Sequence, residues 1–273
     1  LEHPDRWGGL IDVPEVLDGV AAERLCAVLA GSGEDQVAIR DTGVLARRLV
    51  RAPRPKGGGA WAPRGSVLVT GGTGAIGGRL ARWAATRRAK RVVLTSRSGP
   101  AATGIATLAA ELAAAGTSVA VLAGDVAVRS EVAALIQWIG ASGPGVSSVF
   151  HAAGVGGGDA LADLDVAGLG VSMAAKAGGA AHLDALAVDL DAFVTFSSGA
   201  ATWGSSHLGG YAAANAFLDA LVEDRRARGL AGTSVAWGLW GGGGMAEGWS
   251  GAMLQRMGLR EMDPDLAIGV LAQ

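Results

Sequence analysis

A short apolar strand that runs into a glycine turn and then a helix narrows the folds open to a chain more than any other local pattern. Here Val67-Leu68-Val69-Thr70 leads into Gly71-Gly72-Thr73-Gly74-Ala75-Ile76-Gly77, and a helical stretch follows through Ala85. The run from Gly72 to Gly77 fits G-x-G-x-x-G in the strand–turn–helix setting that the pattern requires. Glycines there let the backbone approach a pyrophosphate, and the first turn of the helix favours its negative charge. A tight strand–helix connection that holds nothing is the plainer alternative.

Past Ser66, short apolar runs alternate with helical stretches. The pattern predicts further strands at 91–95, 118–122, 148–151, 192–196 and 234–237. It predicts helices at 105–115, 131–139, about 171–186, and from Tyr211 to about Arg228. Apolar strands separated by helices form a parallel sheet covered on both faces. Right-handed crossovers then wind the sheet in both directions. The expected fold class is α/β, a doubly wound parallel sheet of Rossmann type.

Residues 1–50 read differently, with strand-like pieces at 9–13 and 36–40 and a helical stretch at 21–30. The run Arg51-Ala52-Pro53-Arg54-Pro55-Lys56-Gly57-Gly58-Gly59 reads as a linker or surface loop. The expected division is 1–60 and 61–273. Half of the 273 residues are apolar, so the chain can bury a substantial core. A net charge of −2 without a long basic run argues against nucleic acid as a partner. Cys26 is the only cysteine, which excludes a disulfide framework and fits a cytoplasmic chain. No uninterrupted apolar stretch of about 20 residues exists, so no membrane span is expected. His151, His182 and His207 lack metal-ligand spacing, and no metal is assigned.

The second strand bears on the choice of dinucleotide. Binders of NAD usually carry an acid there for the ribose 2′-hydroxyl. Here the strand ends Thr95-Ser96-Arg97-Ser98. The Arg97 fork suits a 2′-phosphate and Ser96 can donate a hydrogen bond, which favours NADPH; a solvated loop arginine is the alternative. Asp125, followed by Val126 after the third strand, could meet an adenine or could cap the next helix.

Tyr211 is the only tyrosine, and it lies four residues before Asn215 on one helical face. Ser198 ends the preceding strand, at the carboxyl edge where such sheets bind ligands. Lys176 lies on the helix before that strand and is one of only three lysines. A carbonyl becoming an alkoxide needs a proton, and a phenol can supply it. A lysine cation ~4 Å from a phenol is worth roughly 4 kcal/mol at an effective dielectric of ~20, before the lysine's own desolvation is subtracted. Ser198 would orient the substrate oxygen. Each residue alone is ordinary packing or solvated surface; together, behind a dinucleotide turn, they read as a catalytic set of Tyr211, Ser198, Lys176 and Asn215.

These stretches resemble the ketoreductase domains of modular polyketide synthases, within the short-chain dehydrogenase/reductase superfamily. The match runs from about residue 1 to 273. It is carried by Val69-Thr70-Gly71-Gly72-Thr73-Gly74, Thr95-Ser96-Arg97, His151-Ala152-Ala153-Gly154-Val155, Ala174-Ala175-Lys176, Phe196-Ser197-Ser198 and Tyr211 to Asn215. The ending Trp237-Gly238-Leu239-Trp240, with Gly244-Met245-Ala246, also fits. Most of the superfamily places a lysine four residues after the tyrosine. Here Asn215 stands there and Lys176 lies on the earlier helix, an exchange typical of the polyketide ketoreductases. It also disfavours a nucleotide-sugar-modifying relative.

The resemblance implies NADPH-dependent reduction of a β-ketoacyl chain held as a phosphopantetheine thioester on an acyl carrier protein, beside the other domains of a synthase. Tyr211 would protonate the oxygen, while Lys176 and Asn215 would position groups for a proton relay through ribose and water. The cofactor-binding set would be Gly71, Gly72, Thr73, Gly74, Ala75, Ile76, Ser96, Arg97, Asp125, Val126, Ala152, Ala153 and Gly154. Members that give the D-hydroxyl usually carry Leu-Asp-Asp where this chain has Gly156-Gly157-Gly158. Members that give the L-hydroxyl usually carry a tryptophan eight residues before the tyrosine, and Trp203 is there. The chain therefore resembles the A-type, with an L-β-hydroxyacyl product. A histidine three before the tyrosine would mark an epimerised α-substituent. That place is Leu208, which implies the unepimerised substrate.

In the family a structural subdomain about twice as long precedes the catalytic one, so residues 1–60 correspond to its C-terminal part plus a linker. Residues 1–50 are then expected to pair with elements outside this sequence or to pack poorly, and a last helix and strand of the sheet would lie beyond Gln273. The segment 241–257, with four glycines and then Met245, Trp249, Met253 and Met257, reads either as a lid over the substrate or as a surface helix. A reductively inactive structural domain, or an epimerase-only one, is the second functional reading. Inactive members usually lose the tyrosine, the serine or the glycine turn, and all three are present here.

Overall fold

Six of the strands alternate their side chains between two apolar layers, as a sheet covered on both faces must. The structure is a computed structural model that describes residues 2–51, 61–156, 158–243, 255 and 258–271. The chain divides into two units, Leu1–Lys56 and Gly57–Gln273.

In the first unit, β1 (Leu10–Asp12) pairs in parallel with β2 (Gln36–Arg40), and β3 (Gly43–Ala46) adds antiparallel to β2. Helix α1 (Gly19–Leu29) connects β1 and β2 and is capped by Asp18, whose carboxylate accepts from the Ala21 amide at 2.8 Å. Val37 and Ile39 are buried, whereas Leu10, Val16 and Leu29 are exposed. Strand β3 follows the two-residue turn Asp41-Thr42 and was not expected from the sequence. Its run Gly43-Val44-Leu45-Ala46 is mostly exposed and lacks the alternation that marks a strand.

In the second unit the strands are β4 (Ser66–Thr70), β5 (Arg91–Ser96), β6 (Ser118–Ala123), β7 (Val146–His151), β8 (Ala192–Ser198) and β9 (Thr233–Trp237). They form one parallel sheet in the order β6-β5-β4-β7-β8-β9. The order reverses between β4 and β7, and a crevice opens beyond the carboxyl ends of the strands at such a point. Val67, Val69, Val92, Leu94, Phe150 and Phe196 enter one core, against α2 (Ala75–Thr86) and α3 (Ile105–Ala114). Leu68, Val93, Val149 and Phe193 enter the other, against α4 (Arg129–Ser142), α6 (Gly179–Leu186) and α8 (Gly209–Ala227). This is the doubly wound α/β fold expected from the sequence.

The helix expected at about 171–186 is three pieces: α5 (Val166–Met173), a π-helical turn over Ala174–Gly178, and α6. A π turn widens the helix by one residue. Four of its five residues, Ala174, Ala175, Ala177 and Gly178, are small, and no periodicity announces the turn. Two short helices also escaped the sequence reading, α7 (Ala200–Trp203) and α9 (Pro264–Val270). No helix of the described residues is long and apolar enough to cross a membrane.

Candidate functional site

One cleft of about 450 Å3 opens at the switch point, lined by the residues that leave β4, β5, β6, β7, β8 and β9. The glycine turn forms its floor. Gly71 has φ +65°, and a Cβ there would stand 2.8 Å from the Ala152 carbonyl oxygen. Only glycine tolerates both demands. Gly71, Thr73, Gly74, Ala75 and Ile76 line the cleft at the start of α2, and the first amides of a helix have no partner within it. Gly72 does not line it. It is buried against β5, with a Cβ there only 2.8 Å from Leu94 Cβ, so its part is to let the turn lie on the sheet.

On the far side of the turn, Thr73 Oγ1 donates to Ser96 Oγ at 2.8 Å and the Gly99 amide donates to the same oxygen at 3.1 Å. The Ser96 hydroxyl proton is left to donate into the cleft. Arg97 is exposed at the cleft and makes no hydrogen bond or ion pair with the described residues. Asp125 lines the cleft while its carboxylate accepts from the Ala127 amide at 2.9 Å, so it shapes the turn before α4 as well. Val126, Ala152, Ala153 and Gly154 complete this wall. A guanidinium unpaired among the described residues, a hydroxyl and a glycine cradle could hold the phosphates of a dinucleotide.

Lys176, Ser198 and Tyr211 meet at the other end of the cleft. The π turn buries Lys176 to 4% exposure and aims its Nζ at the Phe196 carbonyl, 2.8 Å away. The same nitrogen lies 5.6 Å from the centre of the Tyr211 ring. Burial pulls the Lys176 amine down to about 8 from 10.5, partly offset by the charge of Asp219. Ser198 is the last residue of β8, and its Oγ accepts from the Ala200 amide at 3.2 Å. The Tyr211 hydroxyl makes no hydrogen bond with the described residues. Asn215 is fully buried and does not line the cleft. Its Nδ2 donates to the Tyr211 carbonyl at 2.7 Å, which braces the turn that carries the phenol.

The wall opposite the glycine turn is built by α7 and the loop into α8. Trp203 is half exposed, lines the cleft and packs against Gly199, where a Cβ would come within 2.2 Å of its ring. Leu208 lines the cleft beside it. Gly158 lies behind, and a Cβ there would stand 2.0 Å from the His207 carbonyl. Met245, Gly157 and the segment 244–254 lie outside the described residues.

Sequence reasoning missed three parts of this site. The Phe196 carbonyl that receives Lys176 carries no side-chain signal. Trp237 and Trp240 line the cleft, with rings 4.8 Å apart and both near Phe196. Two tryptophans three residues apart, one ending the last strand and one just past it, could have signalled that wall. His151 was read as part of a family stretch and excluded as a metal ligand, but given no role, although it is fully buried between Thr70 and the lysine turn.

The sequence profile of a family described as the KR domain matches residues 65–242. The chain is 50% identical over 281 residues to the polyketide synthase GfsA of Streptomyces halstedii, covering 99% of this chain and 4% of that protein. It is 49% identical over 283 residues to the pikromycin polyketide synthase component PikAIII of Streptomyces venezuelae, covering 100% of this chain and 18% of that protein. A solved structure described as an A1-type ketoreductase superimposes with a TM-score of 0.93 at 52% identity, covering 100% of this chain and 58% of the solved one. The chain thus spans a small part of the curated relatives that it matches.

Proposed function

The chain belongs to the ketoreductase domains of modular polyketide synthases, and on that premise we propose that it reduces a β-ketoacyl chain with NADPH to an L-β-hydroxyacyl chain. Such domains are oxidoreductases of nicotinamide cofactors. The observation that carries the reading is the cleft shared by the glycine turn, Lys176, Ser198 and Tyr211.

The glycine turn and the start of α2 hold the pyrophosphate, with Asp125, Val126, Ala152, Ala153 and Gly154 around the rest of the dinucleotide. Arg97 and Ser96 take its 2′-phosphate, which is the argument for NADPH over NADH. The bound cofactor supplies hydride. Ser198 donates a hydrogen bond to the substrate carbonyl and fixes its orientation. Tyr211 gives its hydroxyl proton to that oxygen as the alkoxide forms. Lys176 keeps a cation beside the phenol, and Asn215 holds the Tyr211 turn in register. Trp203 and Leu208 select the face of the ketone and the state of its α-carbon; Trp203 and the similarity to an A1-type structure support the L-hydroxyl. Met245 is assigned to the same stereocontrol set on the resemblance alone.

The substrate rides on an acyl carrier protein within a cytoplasmic synthase, a partner assignment that rests on the relatives being polyketide synthases. Residues 1–60 act as the C-terminal part of a structural subdomain plus linker, and 61–273 as the catalytic domain. The exposed Leu10, Val16 and Leu29 of the first unit support that reading.

The test is reduction of a short 2-methyl-3-ketoacyl thioester by wild type and Tyr211→Phe, with NADPH and then NADH, followed by chiral analysis of the product. Turnover that prefers NADPH, gives the L-hydroxyl and falls at least 100-fold in the variant is the expected result. A D-hydroxyl would discard the role of Trp203. Absence of turnover with tight NADPH binding would favour a reductively inactive domain.

A further inference from the structure

His151 ends β7 at 0% exposure, out of contact with bulk solvent. Both ring nitrogens have protein partners. Nε2 lies 2.8 Å from the carbonyl oxygen of Lys176, and Nδ1 lies 2.7 Å from Thr70 Oγ1. A carbonyl can only accept, so Nε2 carries the proton. Burial pulls the imidazole down to about 4, so it is neutral at physiological pH and Nδ1 accepts from the Thr70 hydroxyl. The arrangement has one direction: Thr70 donates to His151, and His151 donates to the main chain of Lys176.

The two ends of this line are informative. Thr70 is the residue before Gly71, where β4 enters the glycine turn. Lys176 is the middle residue of the π turn. That turn replaces the α-helical ladder with longer bonds, the Gly179 amide reaching the Ala174 carbonyl, and His151 adds a side-chain donor to the Lys176 carbonyl. Room for the ring is made at Gly179, where a Cβ would stand 3.0 Å from His151 Cε1. On the other side of the turn, Gly154 lies beside the lysine stem, 3.1 Å from Cε to the position of a Cβ.

We propose that His151 is a positioning residue for Lys176, an imidazole strut that ties the lysine turn to the strand end bearing the glycine turn. The proposal rests on the catalytic role assigned to Lys176. Its geometric part, that the imidazole fixes where the ammonium group lies, stands without that role.

The experiment uses the chain labelled with 13C at lysine Cε. Only Lys56, Lys90 and Lys176 are lysines, so the Lys176 signal is assigned by comparison with Lys176→Met. His151→Leu removes both hydrogen bonds; His151→Gln restores a donor and an acceptor about as far apart as the two ring nitrogens; Thr70→Val removes only the hydroxyl. At one fixed pH, His151→Leu is expected to move the Lys176 signal beyond its linewidth, and His151→Gln to bring it most of the way back. In turnover, kcat is expected to fall about 10-fold or more in His151→Leu, with the dissociation constant for NADPH changed less than 3-fold, and to recover in the glutamine variant. An unmoved Lys176 signal with unchanged kcat overturns the proposal. If the leucine variant does not fold, Thr70→Val decides, because a displaced signal with a few-fold loss of kcat is then required. A wild type without turnover refutes the reductase reading, while the lysine signals still decide whether His151 is a strut.

Discussion

An ammonium group loses its hydration when buried, and Lys176 receives little in return. One carbonyl, the face of one phenol and the more distant charge of Asp219 stand in for water. A fall of its basicity from 10.5 to about 8 corresponds to about 3 kcal/mol held against the charged form at neutral pH. Methionine keeps the length and apolar stem of lysine without the charge. Lys176→Met is therefore expected to raise the stability of the ligand-free protein by about 1–2 kcal/mol, after the lost hydrogen bond is subtracted. The same substitution is expected to lower kcat at least 100-fold. A urea titration beside a turnover assay reads both, and a destabilised variant would show that the Phe196 carbonyl gives the lysine more than burial takes. Opposite signs for stability and activity would mark the lysine as kept for chemistry.

At the scale of elements, the join of β4 to α2 depends on backbone meeting backbone. A Cβ at Gly77 would lie 2.3 Å from the Gly71 carbonyl oxygen and 2.6 Å from Gly72 Cα, and neither atom can swing aside. At the next residue, Gly78, a Cβ would meet Leu108 Cδ2 at 3.5 Å and Arg82 Nη1 at 3.6 Å, both ordinary contacts. Gly77→Ala is expected to cost about 2–3 kcal/mol and to weaken NADPH binding at least 10-fold, because the turn must open. Gly78→Ala is expected to be neutral or stabilising by up to about 1 kcal/mol, since alanine favours a helix interior. Thermal melts with a cofactor titration separate the two. Equal effects would mean that the helix, and not the turn, sets the cost. This join was legible in the sequence because a strand, a glycine pattern and a helix each leave a local mark there. The alternation of Val67, Leu68 and Val69 between two cores was legible for the same reason. The π turn was not, because widening a helix by one residue changes no side-chain type. Tyr211 and Ser198, which line the cleft, could be read as candidates from their places relative to the glycine turn and the strand edge. Spacing did not show that Asn215 would turn inward to the Tyr211 carbonyl, because which helical face is buried is set by packing, nor that His151 would meet the lysine turn, a contact across 25 residues of chain.

Across the whole molecule, two buried bases give stability an unusual dependence on pH. His151 titrates at 6.5 when unfolded and near 4 when folded. Between these values the unfolded chain holds the extra proton, so stability falls as pH drops from about 6.5 to about 4, by about 3 kcal/mol in all. Lys176 titrates at 10.5 unfolded and about 8 folded. Between these values the unfolded chain again holds the extra proton, so stability rises as pH climbs from about 8 to about 10.5, by a similar amount. Glu34, lowered by its hydrogen bond to Arg48, acts in the same direction at the acid end, but it is exposed and its part is small. The expected profile is an acid slope, a flat stretch between about 6.5 and 8, and a second rise into alkali. Most proteins are most stable between about pH 5 and 8 and would show no second rise. Seven of the eight tryptophans lie after residue 56, so fluorescence-detected urea unfolding reports chiefly on the unit that contains both bases. Lys176→Met should flatten the alkaline rise and leave the acid slope, whereas His151→Gln should flatten the acid slope and leave the alkaline rise. If both variants kept both limbs, the pH dependence would have to come from surface charges, and it would then weaken in 1 M salt, where charges more than about 3 Å apart in solvent are screened.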